Sequence, residues 1–198
     1  MIVGVGMVPS KLLEQLRRLV DDPRILLYPE FFDDKKSLLQ LKRVKYIEKL
    51  LAVKNRVVVA LWPDYLYDDP YGLCSLDVIW VFPIHSIEEF ERLPRCIDVV
   101  GYTGDTSLAM FVRFAKELGL DMWWLGACKK EIVMATGLGF WGVDVNTGST
   151  GLPYKVIGSK DFPKIFADFL KRVANEELRD RQRTLVEWVL AGPAGEEA

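Results

Sequence analysis

Asp64 and Asp144 are the carboxylates on which chemistry could rest. Each sits at the end of an apolar run: Arg56-Val-Val-Val-Ala-Leu-Trp-Pro-Asp64 and Phe140-Trp-Gly-Val-Asp-Val-Asn146. Glu30, His85, Thr103 and Cys128 follow comparable runs. Carboxylates crowded into one pocket repel one another, so some pKa values rise and acid and base roles separate. Trp62 and Tyr65 flank Asp64 and offer rings for stacking on a planar ligand. His85 is the only histidine, which excludes a two-histidine metal site, and neither a metal nor a cofactor is expected. The turn Gly101-Tyr-Thr-Gly-Asp105 leads into a helical pattern, so Gly101, Thr103 and Gly104 could hold an anion or a base edge. It lacks the spacing of the nucleotide-phosphate motifs. Each residue also has a plainer reading. Strand ends carry Asp and Glu as caps, an Asp after a proline is common in turns, and a lone histidine before a capped helix is more often structural. Cys128 precedes Lys129 and Lys130, which could lower its pKa; a small buried residue is the alternative.

The elements that would position these residues repeat along the chain. Eight short apolar runs begin at Ile2, Arg24, Arg56, Asp77, Ile97, Leu120, Phe140 and Leu152, and helix-like segments separate most of them. Continuous apolar strands are what a sheet covered on both faces requires. The pattern predicts an α/β fold, a compact (β/α)8 TIM-like barrel, trimmed or distorted, with an extra C-terminal helix. The barrel is expected over residues 1–175, with that helix and a frayed tail over 176–198. In such a barrel the C-terminal ends of the strands form the active-site face. A chain of 198 residues is short for the architecture, which typically takes about 250. Helical stripes run from Leu12 to Val20, with Ser10 as N-cap, and from Leu38 to Leu51, Leu108 to Leu118 and Phe162 to Val173. Ser86-Ile-Glu-Glu89 reads as a capping box, and a short helix is expected over Lys129 to Leu138.

A net charge of -2 gives no global pull toward nucleic acid or membrane. Local basic clusters remain, one from Lys35 to Lys49 and one from Lys171 to Arg183. Such clusters track phosphates or are merely solvated helix faces. Cys74, Cys96 and Cys128 contain no CxxC pair, which argues against zinc and against a disulfide scaffold. No secretory signal and no membrane-length apolar stretch is seen, so a cytoplasmic protein is expected. Scarce Asn and Gln beside abundant Lys, Arg and Glu point weakly to a thermophile.

From about Val57 to Gly151 the order of segments resembles the tRNA-guanine transglycosylase-like barrels, including their phage and plasmid relatives linked to 7-deazaguanine in DNA. Trp62-Pro-Asp64 looks like the segment carrying that family's catalytic Asp. Val100-Gly-Tyr-Thr-Gly104 looks like its base-contacting turn, and Trp123-Trp-Leu-Gly-Ala-Cys-Lys129 fits the following strand, turn and helix. Gly142-Val-Asp-Val-Asn-Thr147 lies where the family has Gly-x-Asp-x-x-Asp. Asp144 matches the first Asp, but Thr147 occupies the nucleophile position, and the family's zinc cluster is absent. The resemblance implies a nucleobase- or nucleic-acid-directed barrel acting on N-glycosidic bonds. Asp64 and Asp144 would be catalytic, and Glu30, Trp62, His85, Gly101, Thr103, Gly104, Lys129 and Asn146 would bind substrate. The partners would be tRNA, DNA or a free nucleobase, with a homo-oligomer formed through the C-terminal helix. Two alternatives stay open: a non-catalytic binding barrel, and an unrelated barrel hydrolase or isomerase using strand-end carboxylates.

Overall fold

A computed structural model describes residues 1–34 and 42–176 of the chain. Eight strands form one parallel sheet: β1 (Ile2–Val5), β2 (Ile25–Leu27), β3 (Phe31–Phe32), β4 (Val59–Leu61), β5 (Ile79–Ile84), β6 (Val99–Tyr102), β7 (Asp121–Trp124) and β8 (Gly142–Val145). Their order is β2-β1-β8-β7-β6-β5-β4-β3. The sheet curls into a nearly closed barrel of the TIM type. Its two edges, β2 and β3, are consecutive in the chain, joined by Tyr28, Pro29 and Glu30 with a cis Tyr28–Pro29 bond. β2 pairs with β1 and β3 pairs with β4. One long run thus bends at Pro29 and lends half of itself to each neighbour. The Tyr28 N–H donates to the Val5 carbonyl (3.0 Å), and the Glu30 carbonyl accepts from Val58 (2.9 Å) and Val59 (3.0 Å), so the backbone itself spans the seam.

The strand count matches expectation, but its composition does not. The run from Leu152 to Gly158 is no strand; it holds a one-turn helix, Tyr154–Ile157. Pro153 precedes that turn, lacks the N–H that a sheet ladder needs, and suits the start of a helix. The number is made up by β3, at Phe31–Phe32, directly beyond the expected end of the second run at Glu30. The longer helices are α1 (Ser10–Leu19), α2 (Arg43–Val53), α3 (Leu108–Glu117), α4 (Lys129–Leu138) and α5 (Phe162–Ala174). Ser10 opens α1 instead of capping it: Pro9 holds the cap position and no side chain bonds there. The capping box at Ser86 and Glu89 is present and starts a 3-10 turn, Ile87–Arg92. Gly139, at φ 80°, ends α4 in the left-handed region that glycine tolerates. Leu38 of the second stripe, Lys35 and Lys36, and the C-terminal helix expected beyond Glu176 lie outside the described residues.

The barrel interior is filled by an exchange of small for large. A Cβ on Gly4 would come within 2.7 Å of the Phe31 ring, and one on Gly142 within 2.3 Å of the Trp123 indole. Phe31 and Trp123 stack on each other, with centroids 5.2 Å apart and planes 9° from parallel. Their strands, β3 and β7, are not neighbours in the sheet, so the rings meet across the inside of the barrel. Two glycines therefore admit two aromatics, and both rings are fully buried.

A disulfide joins Cys74 and Cys96, contrary to the expectation from cysteine spacing. Spacing rules detect neighbours in sequence, whereas these cysteines stand 22 residues apart and are brought together by the fold. Cys74 lies in a 3-10 turn, Leu73–Ser75, shortly before β5, and Cys96 lies shortly before β6. The bond therefore sits at the face opposite the strand C-termini. Closing a loop of that size stabilises a fold by roughly 3 kcal/mol in the chain-entropy picture. Among the described residues, no helix is long and apolar enough to cross a membrane.

Candidate functional site

Because all strands run parallel, their C-terminal ends share one mouth. Followed in sheet order, that mouth carries Asp144 on β8, Gly6 after β1, Asp33 and Asp34 after β3, Asp64 after β4, His85 after β5, and Thr103 and Asp105 after β6. The residues fall into two arcs.

The first arc is recessed. Gly6, Met7, Val8, Asp33, Asp34, Asp144, Val145 and Asn146 line a cleft of about 250 Å³. Asp33, Asp34 and Asp144 are all buried. Asp144 is paired in register with Gly4, whose missing side chain would point at Phe31, so the Asp144 side chain shares the interior face. The indole N–H of Trp123 donates to Asp144 Oδ1 (3.2 Å), and the Asp144 carbonyl accepts from Ala127 N–H (3.0 Å). Asp33 follows Phe31 by two residues and shares its face, with its carboxylate oxygen 3.3 Å from where a Gly6 Cβ would stand. Asp34, also in the cleft wall, pairs with Lys49 of α2.

The second arc is half-exposed and ion-paired. His85 Nε2 lies 3.3 Å from Asp64 Oδ1, and Nδ1 lies 2.7 Å from Asp105 Oδ2. The His85 backbone N–H donates to Glu89 Oε2 (2.6 Å). These carboxylates raise the imidazole pKa to about 9, Asp64 contributing most against the opposing effect of burial, with Asp105 and Glu89 adding to it. His85, then Thr103, hold the Asp105 carboxyl below the usual carboxylate range. The Thr103 hydroxyl donates to the Ile84 carbonyl (2.6 Å) and accepts from Asp105 N–H (3.3 Å). Tyr65 stacks on the imidazole with centroids 5.0 Å apart. It sits at φ 56°, a conformation that costs a residue with a side chain.

Tyr46 of α2 stands between the arcs. Its buried hydroxyl donates to the Leu61 carbonyl (2.6 Å) and lies 3.3 Å from the Phe32 carbonyl, so one phenol ties the ends of β3 and β4. Burial pushes this phenol well above its ordinary pKa, and Asp33, Asp34 and Asp64 act in the same direction.

Several expected site residues lie elsewhere. Glu30 is exposed on an outer groove with Arg17 and Arg56, because it lies between β2 and β3, and the mouth is reached only after β3, at Asp33 and Asp34. Trp62 is fully buried, its indole N–H bonded to the Leu66 carbonyl (2.6 Å) and its ring edge-on to Trp80. Gly101 is a buried strand residue whose Cβ would meet Leu125 at 2.9 Å, so its role is packing. Gly104 is exposed in open space at φ 91°. Lys129 faces a separate groove with Thr150, Asp168 and Arg172. Cys128 is an exposed thiol whose backbone N–H donates to Glu131 Oε2 (2.6 Å). Asn146 does line the cleft, and its Oδ1 accepts from Gly148 N–H (2.8 Å). Sequence reasoning missed Asp33, Asp34 and Tyr46. The signal for the carboxylates was the apolar Phe31-Phe32 pair continuing beyond Pro29. Among the described residues, no group of three or more His, Cys, Asp or Glu side chains is placed to hold a metal ion.

No family model matches the chain. An uncharacterised protein of Acidianus two-tailed virus, ORF192, is 30% identical over 159 residues, covering 73% of this chain and 78% of the relative. The chain belongs to the ORF192 family. Family membership extends across most of both chains and so across most of the barrel.

Proposed function

We propose that this ORF192-family barrel is a nucleobase- or nucleic-acid-directed enzyme acting on N-glycosidic bonds. One observation carries the reading: the cleft of about 250 Å³ at the strand C-termini with Asp33 and Asp144 in its walls. Breaking an N-glycosidic bond builds positive charge on the sugar, and a carboxylate held in a recess of low dielectric stabilises that charge strongly. Asp144 is suited to this role because Trp123 fixes one of its oxygens. Asp64, on the neighbouring arc, would act as general base or nucleophile. The substrate would be a nucleoside, tRNA, DNA or a free base in exchange.

The test is release of free base from nucleosides, tRNA and DNA by wild type, Asp64→Asn and Asp144→Asn. A loss of about 100-fold or more in each variant is expected. Full activity in both would sink the assignment. A second reading, a barrel that binds a base without cleaving it, is favoured by Thr147. That residue stands where the resembling family has its nucleophile, and its carbonyl is engaged by Thr150 Oγ1 (2.9 Å) in the 3-10 turn Thr147–Thr150. Salt-dependent binding that survives both Asp substitutions, without turnover, would support it.

A further inference from the structure

We infer that His85 is a positioning residue for Asp64, with Asp105 as its brace, so that three strand ends present one oriented carboxylate to the mouth. The inference rests on the glycosidic reading. The geometry is a chain of contacts: Asp105 Oδ2 to Nδ1 at 2.7 Å, then Nε2 to Asp64 Oδ1 at 3.3 Å. The imidazolium donates at both nitrogens, since both partners are carboxylates that only accept. Asp64 Oδ2 has no protein partner among the described residues, so one oxygen is anchored and the other is left for substrate.

Everything around His85 favours that arrangement. Tyr65 covers one face of the ring. The backbone on either side is fixed, by the Glu89 carboxylate accepting from the N–H groups of both His85 (2.6 Å) and Ser86 (3.1 Å). Asp105 is in turn held by Thr103, itself anchored to the Ile84 carbonyl. The charged and titratable groups facing the imidazole are Asp64 from the β4 end, Asp105 from the β6 end and Glu89 from the turn after β5, with the Tyr65 phenol ring above it. All three carboxylates favour the imidazolium, in keeping with its pKa of about 9. A free imidazole pairing with a single substrate proton would need one nitrogen unoccupied, and neither is. The group that meets substrate is therefore Asp64, and His85 acts through it.

Two measurements test this. The chain has one histidine, so its ring can be titrated by NMR without ambiguity. The midpoint is expected near 9 in the wild type and lower in Asp64→Asn and in Asp105→Asn; a wild-type midpoint near 6.5 would overturn the inference. In base-release assays the wild-type kcat should hold until the imidazolium loses its proton. Asp105→Asn should shift that alkaline limb to lower pH, and His85→Gln should abolish the limb and lower kcat about 10-fold with little change in KM. A merely structural role would lower the rate without moving the limb, and an unmoved limb in Asp105→Asn also overturns the inference. Failure of the glycosidic reading looks different: the wild type would then release no base from nucleosides, tRNA or DNA, whatever the histidine titration reports.

Discussion

The two arcs of the mouth hold their carboxylates by opposite means. Asp144 is fixed from behind by packing: its indole partner is wedged into the barrel by Gly142 and stacked on Phe31. Asp64 is fixed from the side by charge, through a histidine that a second carboxylate braces. Packing in a buried core is insensitive to salt and pH, whereas half-exposed ion pairs respond to both. One mouth thus joins a rigid recess to an arc that can be tuned. Tyr46 is where the two meet, with one hydroxyl between the ends of β3 and β4.

The largest effect should come from the recess. Asp144→Asn is expected to lower kcat about 100-fold or more with thermal stability nearly unchanged. Added salt should leave the Asp144-dependent part of the rate unaltered. Next comes Gly142→Ala, whose methyl would stand 2.3 Å from the Trp123 ring. We expect about 2–3 kcal/mol of destabilisation by urea unfolding, and relief of it when Trp123 is also made smaller. No relief in the double variant would mean that Trp123 is not what Gly142 accommodates. Tyr46→Phe should cost about 1–2 kcal/mol by leaving the buried Leu61 carbonyl short of a donor, and it should disturb both arcs together. The smallest effect belongs to His85→Gln, under about 1 kcal/mol of stability because its partners are half-exposed. Its signature is in the pH dependence. A raised histidine pKa stabilises the fold fully below about 6.5, and that contribution fades as pH rises through about 9. The wild-type melting temperature should therefore fall over that window, and His85→Gln should flatten the fall.

The parallel barrel was legible because buried strands announce themselves as apolar runs, and seven of the eight runs do contain strands. The eighth misled because an apolar run of a few residues fits a helical turn as well as a strand, and Pro153 decided between them. At the site, Asp64, His85, Thr103 and Asp144 could be placed on the mouth by noting where each run stops. Glu30 failed by the same rule: the run appeared to stop at Glu30, but the chain forms a further strand at Phe31–Phe32, and Asp33 follows its end. Tyr46 could not be found this way. It lies on a helix, and its importance comes from two carbonyls that are near it only in the folded chain. Cys74 and Cys96 eluded the reading for the same reason.

The aromatic plug has an evolutionary corollary. Gly4, Phe31, Trp123 and Gly142 divide one fixed volume among four positions, so none can drift alone. Relatives that carry alanine or serine at either glycine should carry a smaller ring, or none, at the facing aromatic. Loss of the indole would also strip Asp144 of its donor, so any selection on Asp144 should be recorded inside the barrel as paired substitutions behind the cleft.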